Sequence, residues 1–348
     1  MRVGEARAAA ADWVERHGTA LPGFTGAYLS GSTTWLGDGD ELPVGSDVDV
    51  VVVVEGDTAP PKPGKFRHRG VLLEVACFPS SRYTSAEAVL ADYHLVGGFR
   101  VDTILADPTG RLRRLRAEVA RGFAGPYWVR RRCASVRDRI EAALGALDPS
   151  RPLPELVLSW LFPTGVTCHL VLVAALRNPT VRLRYLAARR ALAEHGLADR
   201  YPELLDQLGC AHLDRDRVGR HVRALARTFD ATVPFAGATP LFFRSDITPA
   251  ARPIAIDGSW ELIERGDHRE AVFWIVATFA RCHQILAAAA GPEVREPLLP
   301  AFHDVLADLG VDPGADPGAD LRSRAERTLG YLPGLWDTAE TIMAAGTG

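Results

Sequence analysis

The run from Val48 to Val54 constrains the fold of this chain more than any other stretch, because six of its seven residues are valine. A continuous β-branched run of this length predicts a central strand that is covered on both faces. Asp47 and Asp49 stand at its start, and alternation along the strand places both carboxylates on one face, ~6–7 Å apart. At an effective dielectric constant of about 20, their repulsion costs roughly 2–3 kcal/mol. A divalent cation would reverse this cost, whereas at a solvated strand end water would screen it.

A glycine-serine turn lies upstream of the valine run. The short apolar run Ala27–Leu29 leads into Ser30, Gly31 and Ser32. We predict that a helix begins over Ser32–Trp35 and is cut short by the loop Gly37–Gly45. A strand followed by such a turn directs backbone N–H groups and a hydroxyl toward an anion. Mg²⁺ in proteins is commonly held by one or two carboxylates together with substrate phosphates. The turn and the carboxylate pair together therefore predict a site for a nucleoside triphosphate, with Gly31 and Ser32 at the phosphates.

A third carboxylate, Glu74, interrupts the apolar run from Val71 to Phe78. This run predicts a strand that pairs beside the valine strand. A glutamate between Leu73 and Val75 is costly to bury unless it is paired or bound to a metal. We therefore count Glu74 with the two aspartates as a candidate metal ligand.

Three short motifs occur in a defined order: Gly31-Ser32, Asp47-Val48-Asp49 and Leu73-Glu74-Val75. In this order they resemble the signature of the DNA polymerase β-like nucleotidyltransferase superfamily. The sequence is most similar to the antibiotic nucleotidyltransferases of the kanamycin type, and the resemblance covers roughly residues 20–115. It departs from the family at one point, because fourteen residues separate Ser32 from Asp47, which is more than is usual.

The resemblance implies a magnesium-dependent nucleotidyltransferase that moves AMP or another nucleoside monophosphate from ATP or another triphosphate to a hydroxyl, releasing pyrophosphate. In that scheme Asp47 and Asp49 bind two Mg²⁺ ions, Glu74 completes the second metal site, and Gly31 and Ser32 hold the terminal phosphates. The implied acceptor is a small hydroxylated molecule, such as an aminoglycoside-like antibiotic or natural product. A role in antibiotic resistance follows from the same resemblance. Homodimers are frequent among the enzymes it resembles, although the sequence itself does not give the oligomeric state.

Two other functions stay open. A toxin-type nucleotidyltransferase acting on tRNA or protein would use the same signature, although a net charge of −3 makes nucleic-acid binding a weak expectation. A non-catalytic, antitoxin-like nucleotide-binding module would keep the fold, but the presence of all three carboxylates and the Gly-Ser pair disfavours it.

Neither lysine is followed by Ser or Thr, which excludes a P-loop, and His212-Leu-Asp214 lacks the asparagine of a kinase catalytic loop.

The periodicity of the chain changes after about residue 110. Strand and helix patterns are mixed before this point, and nearly everything after Gly125-Pro126 is helical. We predict an α+β nucleotidyltransferase core over residues 1–125, with a short mixed sheet flanked by helices, and an all-α helical bundle that binds the acceptor over residues 126–348. The predicted strands are Ala27–Leu29, Val48–Val54, Val71–Phe78 and Val101–Leu105, with a turn at Pro60–Gly64. The predicted helices include Val3–His17, Ser85–Tyr93, Leu112–Arg121, Tyr127–Leu147, Leu153–Arg177, Val181–His195, Tyr201–Gln207, Arg215–Thr228, Trp260–Ala289, Glu296–Leu309 and Leu321–Met343.

Charge is distributed unevenly over the helical part. Residues 126–245 carry 18 arginines against 11 acidic residues, and residues 246–348 carry 8 arginines against 16 acidic residues. The arginine-rich part could face a triphosphate and the acidic part a cationic acceptor, or both could be solvated helix faces with i,i+4 ion pairs. Lysine occurs only at Lys62 and Lys65, which we interpret as a coding bias.

The five cysteines are scattered and include no Cys-x-x-Cys pair, which indicates free, mostly buried thiols in a reducing compartment. The stretch from Met1 to His17 lacks the apolar core of a signal peptide, and we expect no uncharged run of membrane-spanning length. The sequence therefore predicts a cytoplasmic protein with no membrane partner.

Overall fold

The computed structural model describes residues 1–43 and 45–346. The chain forms two compact units, Met1–Ser135 and Val136–Gly348. A small mixed sheet occupies the first unit and helices make up the second, so the predicted order of α+β followed by all-α is confirmed. The predicted change at residue 126 coincides with the start of a helix, Pro126–Gly145, which continues past the boundary between the units.

The sheet of the first unit has five strands in the order β3-β4-β2-β1-β5. Strands β2 and β4 run parallel, and the other neighbouring pairs are antiparallel. In chain order the strands are β1 Phe24–Ser30, β2 Val48–Val54, β3 Gly64–His68, β4 Val71–Pro79 and β5 Ile104–Ala106.

The two faces of the valine strand are buried against different helices. The first unit holds α1 (Val3–Arg16), α2 (Ala86–Ala91) and α3 (Arg111–Gly122). The even-numbered valines of β2 pack with α1, and Val51 and Val53 pack in a second cluster with residues of α2 and α3. The prediction of a strand covered on both faces is confirmed. Because Asp49 has the same parity as Val51 and Val53, its side chain lies on the face opposite α1.

Three predictions for the first unit are corrected by the structure. Strand β3 was missed, because an edge strand that carries charged residues lacks the apolar alternation by which strands are found in a sequence. The helix predicted at Ser32 is a single 3₁₀ turn, Ser32–Trp35, after which Leu36 returns to extended backbone. The strand predicted at Val101–Leu105 begins later and is shorter, as β5.

The second unit is built on long apolar helices: α11 packs against α5 and α8, and α14 packs against α5. From the helix that continues out of the first unit onward, the helices are α4 Pro126–Gly145, α5 Leu153–Ala174, α6 Arg184–Glu194, α7 Tyr201–Leu208, α8 Arg215–Ala236, α9 Arg252–Ala255, α10 Asp257–Glu264, α11 His268–Ala289, α12 Pro292–Arg295, α13 Leu299–Asp308 and α14 Pro317–Ala345.

Two helix predictions in this unit are wrong in extent. The predicted helix Trp260–Ala289 is two helices, α10 and α11, because Gly266 adopts a φ of 84° and ends the first of them. Helix α8 runs eight residues beyond the predicted end at Thr228 and includes Pro234. Its buried residues continue the apolar stripe as far as Ala236, so tertiary packing outweighs the local cost of the proline.

Two helices of the second unit, α5 and α11, are long and apolar enough to cross a membrane, which corrects the expectation that no stretch would be. In each, 78% of the most apolar 18-residue window is buried inside the protein. This burial is what core helices of a bundle show, since a lipid-facing helix would expose its apolar surface.

Charged residues of the two oppositely charged stretches pair with each other. Arg189 lies 2.6 Å from Asp267, and Arg217 lies 2.7 Å from Asp304 and 2.9 Å from Asp308. Each of these pairs joins the arginine-rich part of the sequence to the acidic part. The imbalance seen along the chain is therefore partly compensated by tertiary contacts, an arrangement that neither interpretation of the charge distribution included.

All five cysteines are free and buried, as predicted. Burial raises the pKa of the Cys168 thiol to about 12, an effect that its neighbour Arg184 offsets only in part. A thiol with such a pKa stays protonated at neutral pH and is a poor nucleophile.

The side chain of His283 should make the stability of the second unit sensitive to acid. Its ring is 3% exposed and stacks on Phe302, and burial, followed by the charge of His303, lowers its pKa to about 4. The unfolded chain takes up this proton near pH 6.5, so stability present above that pH is lost as the pH falls toward 4. Between pH 7 and pH 4.5, the free energy of unfolding should fall by about 2–3 kcal/mol less in His283→Phe than in the wild type. Urea unfolding at the two pH values measures this difference.

The matched control for this measurement is His17→Phe, because His17 is exposed at the end of α1. This variant should keep the pH dependence of the wild type. Identical pH dependence in the wild type and His283→Phe would show that His283 does not resist protonation in the fold.

Candidate metal centre

Four residues form one row across the sheet at the ends of β1, β2, β3 and β4. Ser30 is paired with Asp49, Asp49 with Glu74, and Glu74 with Lys65. Neighbours in register have side chains on the same face of a sheet. The register therefore places Asp49 and Glu74 side by side, although they are 25 residues apart in the sequence.

The structure brings together the three carboxylates that the sequence singled out. One oxygen each of Asp47, Asp49 and Glu74 lies within 4.8 Å of the other two. No other group of three or more acidic, histidine or cysteine side chains this close occurs in residues 1–43 and 45–346. At an effective dielectric constant of about 20, each pair of charges at this distance repels by roughly 3 kcal/mol. The three ionised carboxylates are therefore unfavourable together unless positive charge compensates them.

Two lysine ammonium groups contact the carboxylates. Lys65 Nζ lies 2.7 Å from Asp47 Oδ2 and also donates to Glu74, and Lys62 Nζ lies 2.8 Å from Glu74 Oε1. The side chain of Lys65 is 7% exposed, so this pairing is well shielded from water. Because two ammonium groups face three carboxylates, the cluster keeps an excess of negative charge when all three are ionised.

The pKa values within the cluster diverge. Burial, and then the charges of Asp47 and Glu74, raise the pKa of Asp49 well above its usual range. Burial also acts to raise the pKa of Glu74, but Lys65 and Lys62 outweigh it and lower that pKa to about 2. Asp49 is thus held toward its neutral form by burial and by its two carboxylate neighbours.

Gly31 joins the turn to the carboxylates. Its φ of 65° and ψ of −157° lie in a region that only glycine adopts without strain. A Cβ atom built on Gly31 would stand 1.7 Å from Asp49 Oδ2. The backbone of the turn therefore touches the Asp49 carboxylate, and a side chain at this position would displace it.

Two arginines hold the turn that follows Gly31. Arg7 donates to the carbonyl oxygens of Thr33 and Leu36, and Arg100 donates to Thr34 O at 3.3 Å. The Arg100 guanidinium also lies 4.0 Å from the centre of the Trp35 ring. The hydroxyl of Ser32 makes no hydrogen bond within the part of the chain that is described, so it can accept or donate to a ligand.

The long connection from Ser32 to Asp47 is anchored where it is described. The backbone N–H of Gly4 donates to Asp38 O at 3.0 Å, and that of Val3 donates to Asp40 O at 2.9 Å. The extra residues of this loop thus pack on the start of α1. The register between Ser30 and Asp49 is kept despite the greater loop length.

Sequence reasoning missed the four basic residues of the site: Lys62, Lys65, Arg7 and Arg100. The lysines carried a signal, because the only two in the chain lie within four residues of each other, shortly before Glu74. Arg7 and Arg100 carried none, since arginine is common throughout the sequence and their roles depend on the tertiary fold.

The donor set fits a magnesium ion. Its three carboxylates supply oxygen ligands, which Mg²⁺ prefers, and the two ammonium groups do not balance three ionised carboxylates. Lys62 and Lys65 supply part of that charge, and flexible lysine stems can change partners when a cation binds.

Lys65→Met should destabilise the first unit in the absence of divalent cations. Removing one partner of a shielded ion-pair network leaves Asp47 and Glu74 less compensated, and we expect a loss of about 2–3 kcal/mol in EDTA. Adding 10 mM MgCl₂ should raise the melting temperature of this variant more than that of the wild type. Thermal unfolding with and without Mg²⁺ measures both effects.

Arg67→Met is the matched control, because Arg67 lies on the same strand with an exposed side chain. Its melting temperature should show the wild-type response to Mg²⁺. A Lys65→Met variant that loses stability without any recovery in Mg²⁺ would argue that the carboxylates do not hold the ion.

No family model matches this chain, and no curated protein matches it either. What the site can do chemically therefore follows from its own geometry: three converging carboxylates, two ammonium groups and an adjoining glycine-serine turn.

Proposed function

We propose that the protein is a magnesium-dependent nucleotidyltransferase. It transfers a nucleoside monophosphate from a nucleoside triphosphate such as ATP to a hydroxyl of a small molecule, and pyrophosphate leaves. The observation that carries this proposal is the contact between two features, the cluster of Asp47, Asp49 and Glu74 and the turn at Gly31. A metal-binding cluster next to a phosphate-binding turn is the arrangement that a metal-triphosphate complex requires.

Each residue has a role in this proposal. Asp47 and Asp49 hold two Mg²⁺ ions and Glu74 completes the second metal site, while the Gly31 backbone and the Ser32 hydroxyl orient the terminal phosphates. When bound, Mg²⁺ supplies positive charge to the transferring phosphoryl group and lowers the pKa of a bound hydroxyl. Lys65 would donate to phosphate oxygens when a metal ion compensates the carboxylates in its place.

The reaction exchanges a phosphoanhydride bond of the triphosphate for a phosphoester bond to the acceptor. The acceptor oxygen forms a bond to the α-phosphorus, the bond from that phosphorus to the bridging oxygen of the β-phosphate breaks, and the hydroxyl proton is released. We propose an acceptor of the aminoglycoside or natural-product class, because the resemblance in the first unit points to enzymes that modify such molecules.

A second candidate function is supported by one observation. Lys65 and Lys62 already neutralise most of the charge of the three carboxylates, as they would in a nucleotide-binding module that had lost its metal. Such a module would bind a triphosphate without turning it over. The convergence of three carboxylates, one more than the two ammonium groups can pair with, favours the enzyme.

A transfer assay tests the proposal. Purified protein is incubated with ATP labelled at the α-phosphate, Mg²⁺ and, in separate reactions, aminoglycosides, lincosamides and tRNA. We expect label on a small acceptor and release of pyrophosphate, both abolished by EDTA. Label on tRNA or on the protein would instead support the toxin-type alternative. Binding of ATP without any label transfer would support the non-catalytic module.

A further inference from the structure

A groove of about 670 Å³ opens in the second unit, where the ends of α7 and α13 meet the first half of α14. Arg324 and Arg327 of α14 line it, together with His212 from the segment after α7. All of its residues belong to the second unit, and the roles proposed for the carboxylate cluster do not involve it. The groove has the size of a small-molecule site.

Arg324 is buried at this groove with an unused donor. The residue is 9% exposed, and its Nη1 has no hydrogen-bond partner within the described part of the chain. Its guanidinium carbon lies 5.6 Å from the centre of the buried Trp160 ring. A buried guanidinium without a hydrogen-bonded partner is costly, so such a group marks a place where a ligand would be stabilising.

Two glycines make room for this guanidinium. Gly209 follows α7 with a φ of 84°, and Gly310 follows α13 with a φ of 74°. A Cβ on Gly209 would stand 2.7 Å from Arg324 Nη1, and a Cβ on Gly310 would stand 2.7 Å from Nη2. Both helices therefore direct their carboxyl-terminal ends toward Arg324, which favours the charged guanidinium but leaves Nη1 without an acceptor.

Two arginines and two aspartates line the groove, and the arginines lack ion-pair partners among the described residues. Arg327 is exposed one turn after Arg324 on α14, and neither arginine forms an ion pair within residues 1–43 and 45–346. Burial, and then the charge of Arg327, lower the pKa of Arg324. Of the two carboxylates that line the groove, Asp308 is held by Arg217 and by His221 at 2.6 Å, and Asp206 is exposed to solvent.

We propose that this groove binds a small molecule through a phosphate group, which Arg324 and Arg327 hold together. The guanidinium fork matches phosphate oxygens in two-point contacts, and two guanidinium charges suit the nearly double charge of a phosphate monoester better than the single charge of a carboxylate. The volume exceeds what a phosphate ion needs and leaves space for the rest of the ligand. His212 at the rim offers a further donor.

The test is isothermal titration of the full chain with inorganic phosphate and with ribose 5-phosphate. Arg327→Ala should weaken binding of either probe by about tenfold to a hundredfold, because it removes a charge-assisted contact without altering the core. Arg324→Lys should weaken it as well, since it keeps the charge but loses the fork. Arg322→Ala, an exposed arginine on the same helix, should bind like the wild type.

The turn at Gly31 is also proposed to bind phosphate, so binding must be assigned to one of the two sites. Weaker binding by Arg327→Ala but not by Arg322→Ala assigns it to the groove. Tighter binding of ribose 5-phosphate than of inorganic phosphate identifies a phosphate ester as the ligand class, and equal binding identifies phosphate itself. If the wild type binds neither probe, or if Arg327→Ala and Arg322→Ala bind alike, the groove is not a phosphate site. Arg324 then serves only to stabilise the two helix ends.

Discussion

Asp49→Asn is expected to abolish nucleotidyl transfer and at the same time to make the protein more stable in EDTA. The substitution keeps the shape of the side chain and removes the charge that the metal needs, so turnover should fall by about 10³-fold or more. It also removes the repulsion that Asp47 and Glu74 exert on Asp49, which should raise the free energy of unfolding by about 1–3 kcal/mol.

The pH dependence of this gain has a defined sign. The folded-state pKa of Asp49 is raised above its unfolded value, so the wild type is favoured at low pH and loses stability as the pH rises through the folded pKa. Asparagine has no such titration, and the advantage of the variant should therefore grow with pH. Urea unfolding in EDTA across this range, together with the transfer assay, measures both effects.

Asp47→Asn provides a contrast at the same site. It should also abolish transfer, but it weakens an ion pair with Lys65 and should not stabilise the fold. Asp57→Asn is the neutral control, because Asp57 is exposed just after β2. Wild-type turnover in either Asp47→Asn or Asp49→Asn would contradict the metal assignment.

Gly31→Ala is expected to destabilise the first unit by about 3 kcal/mol or more and to remove triphosphate binding. The backbone conformation of Gly31 alone costs an alanine about 1–3 kcal/mol. In addition, the new Cβ would stand 1.7 Å from Asp49 Oδ2, so the carboxylate must move away from the other two. Urea unfolding measures the first effect, and titration with ATP and Mg²⁺ measures the second.

Gly39→Ala is the matched control, since Gly39 lies in the same connection with a negative φ and open space around its Cα. We expect its stability to stay within ~0.5 kcal/mol of the wild type. A Gly31→Ala protein with wild-type stability and unchanged ATP binding would show that the turn does not touch the site.

The core of the site was predictable because it depends on local patterns. The valine run fixed the central strand, and alternation along it placed Asp47 and Asp49 on one face before any partner strand was known. Glu74 was found by the same logic, as a charge inside an apolar run. The register that places Asp49 beside Glu74 depends on how two parallel strands align. The sequence predicted that these strands pair, but not which of their residues lie opposite each other.

The lysines were missed for a physical reason. Strand β3 is a five-residue edge strand with one large apolar residue, Phe66, which is too short a pattern to assign Lys65 to a strand, and the scarcity of lysine is interpreted as a coding bias. Arg324 and its two glycines were missed because the ends of α7 and α13 must meet the first half of α14 before the groove exists. Contacts between distant segments of this kind leave no local pattern in a sequence.

The most direct test of the central claim is a crystal soaked with Mn²⁺ and a non-hydrolysable triphosphate. Our account predicts an anomalous peak among the carboxylate oxygens of Asp47, Asp49 and Glu74, with the phosphates against Gly31 and Ser32. A map in which Lys65 still bonds to Asp47 and Glu74, with no metal peak among the three carboxylates, would contradict it.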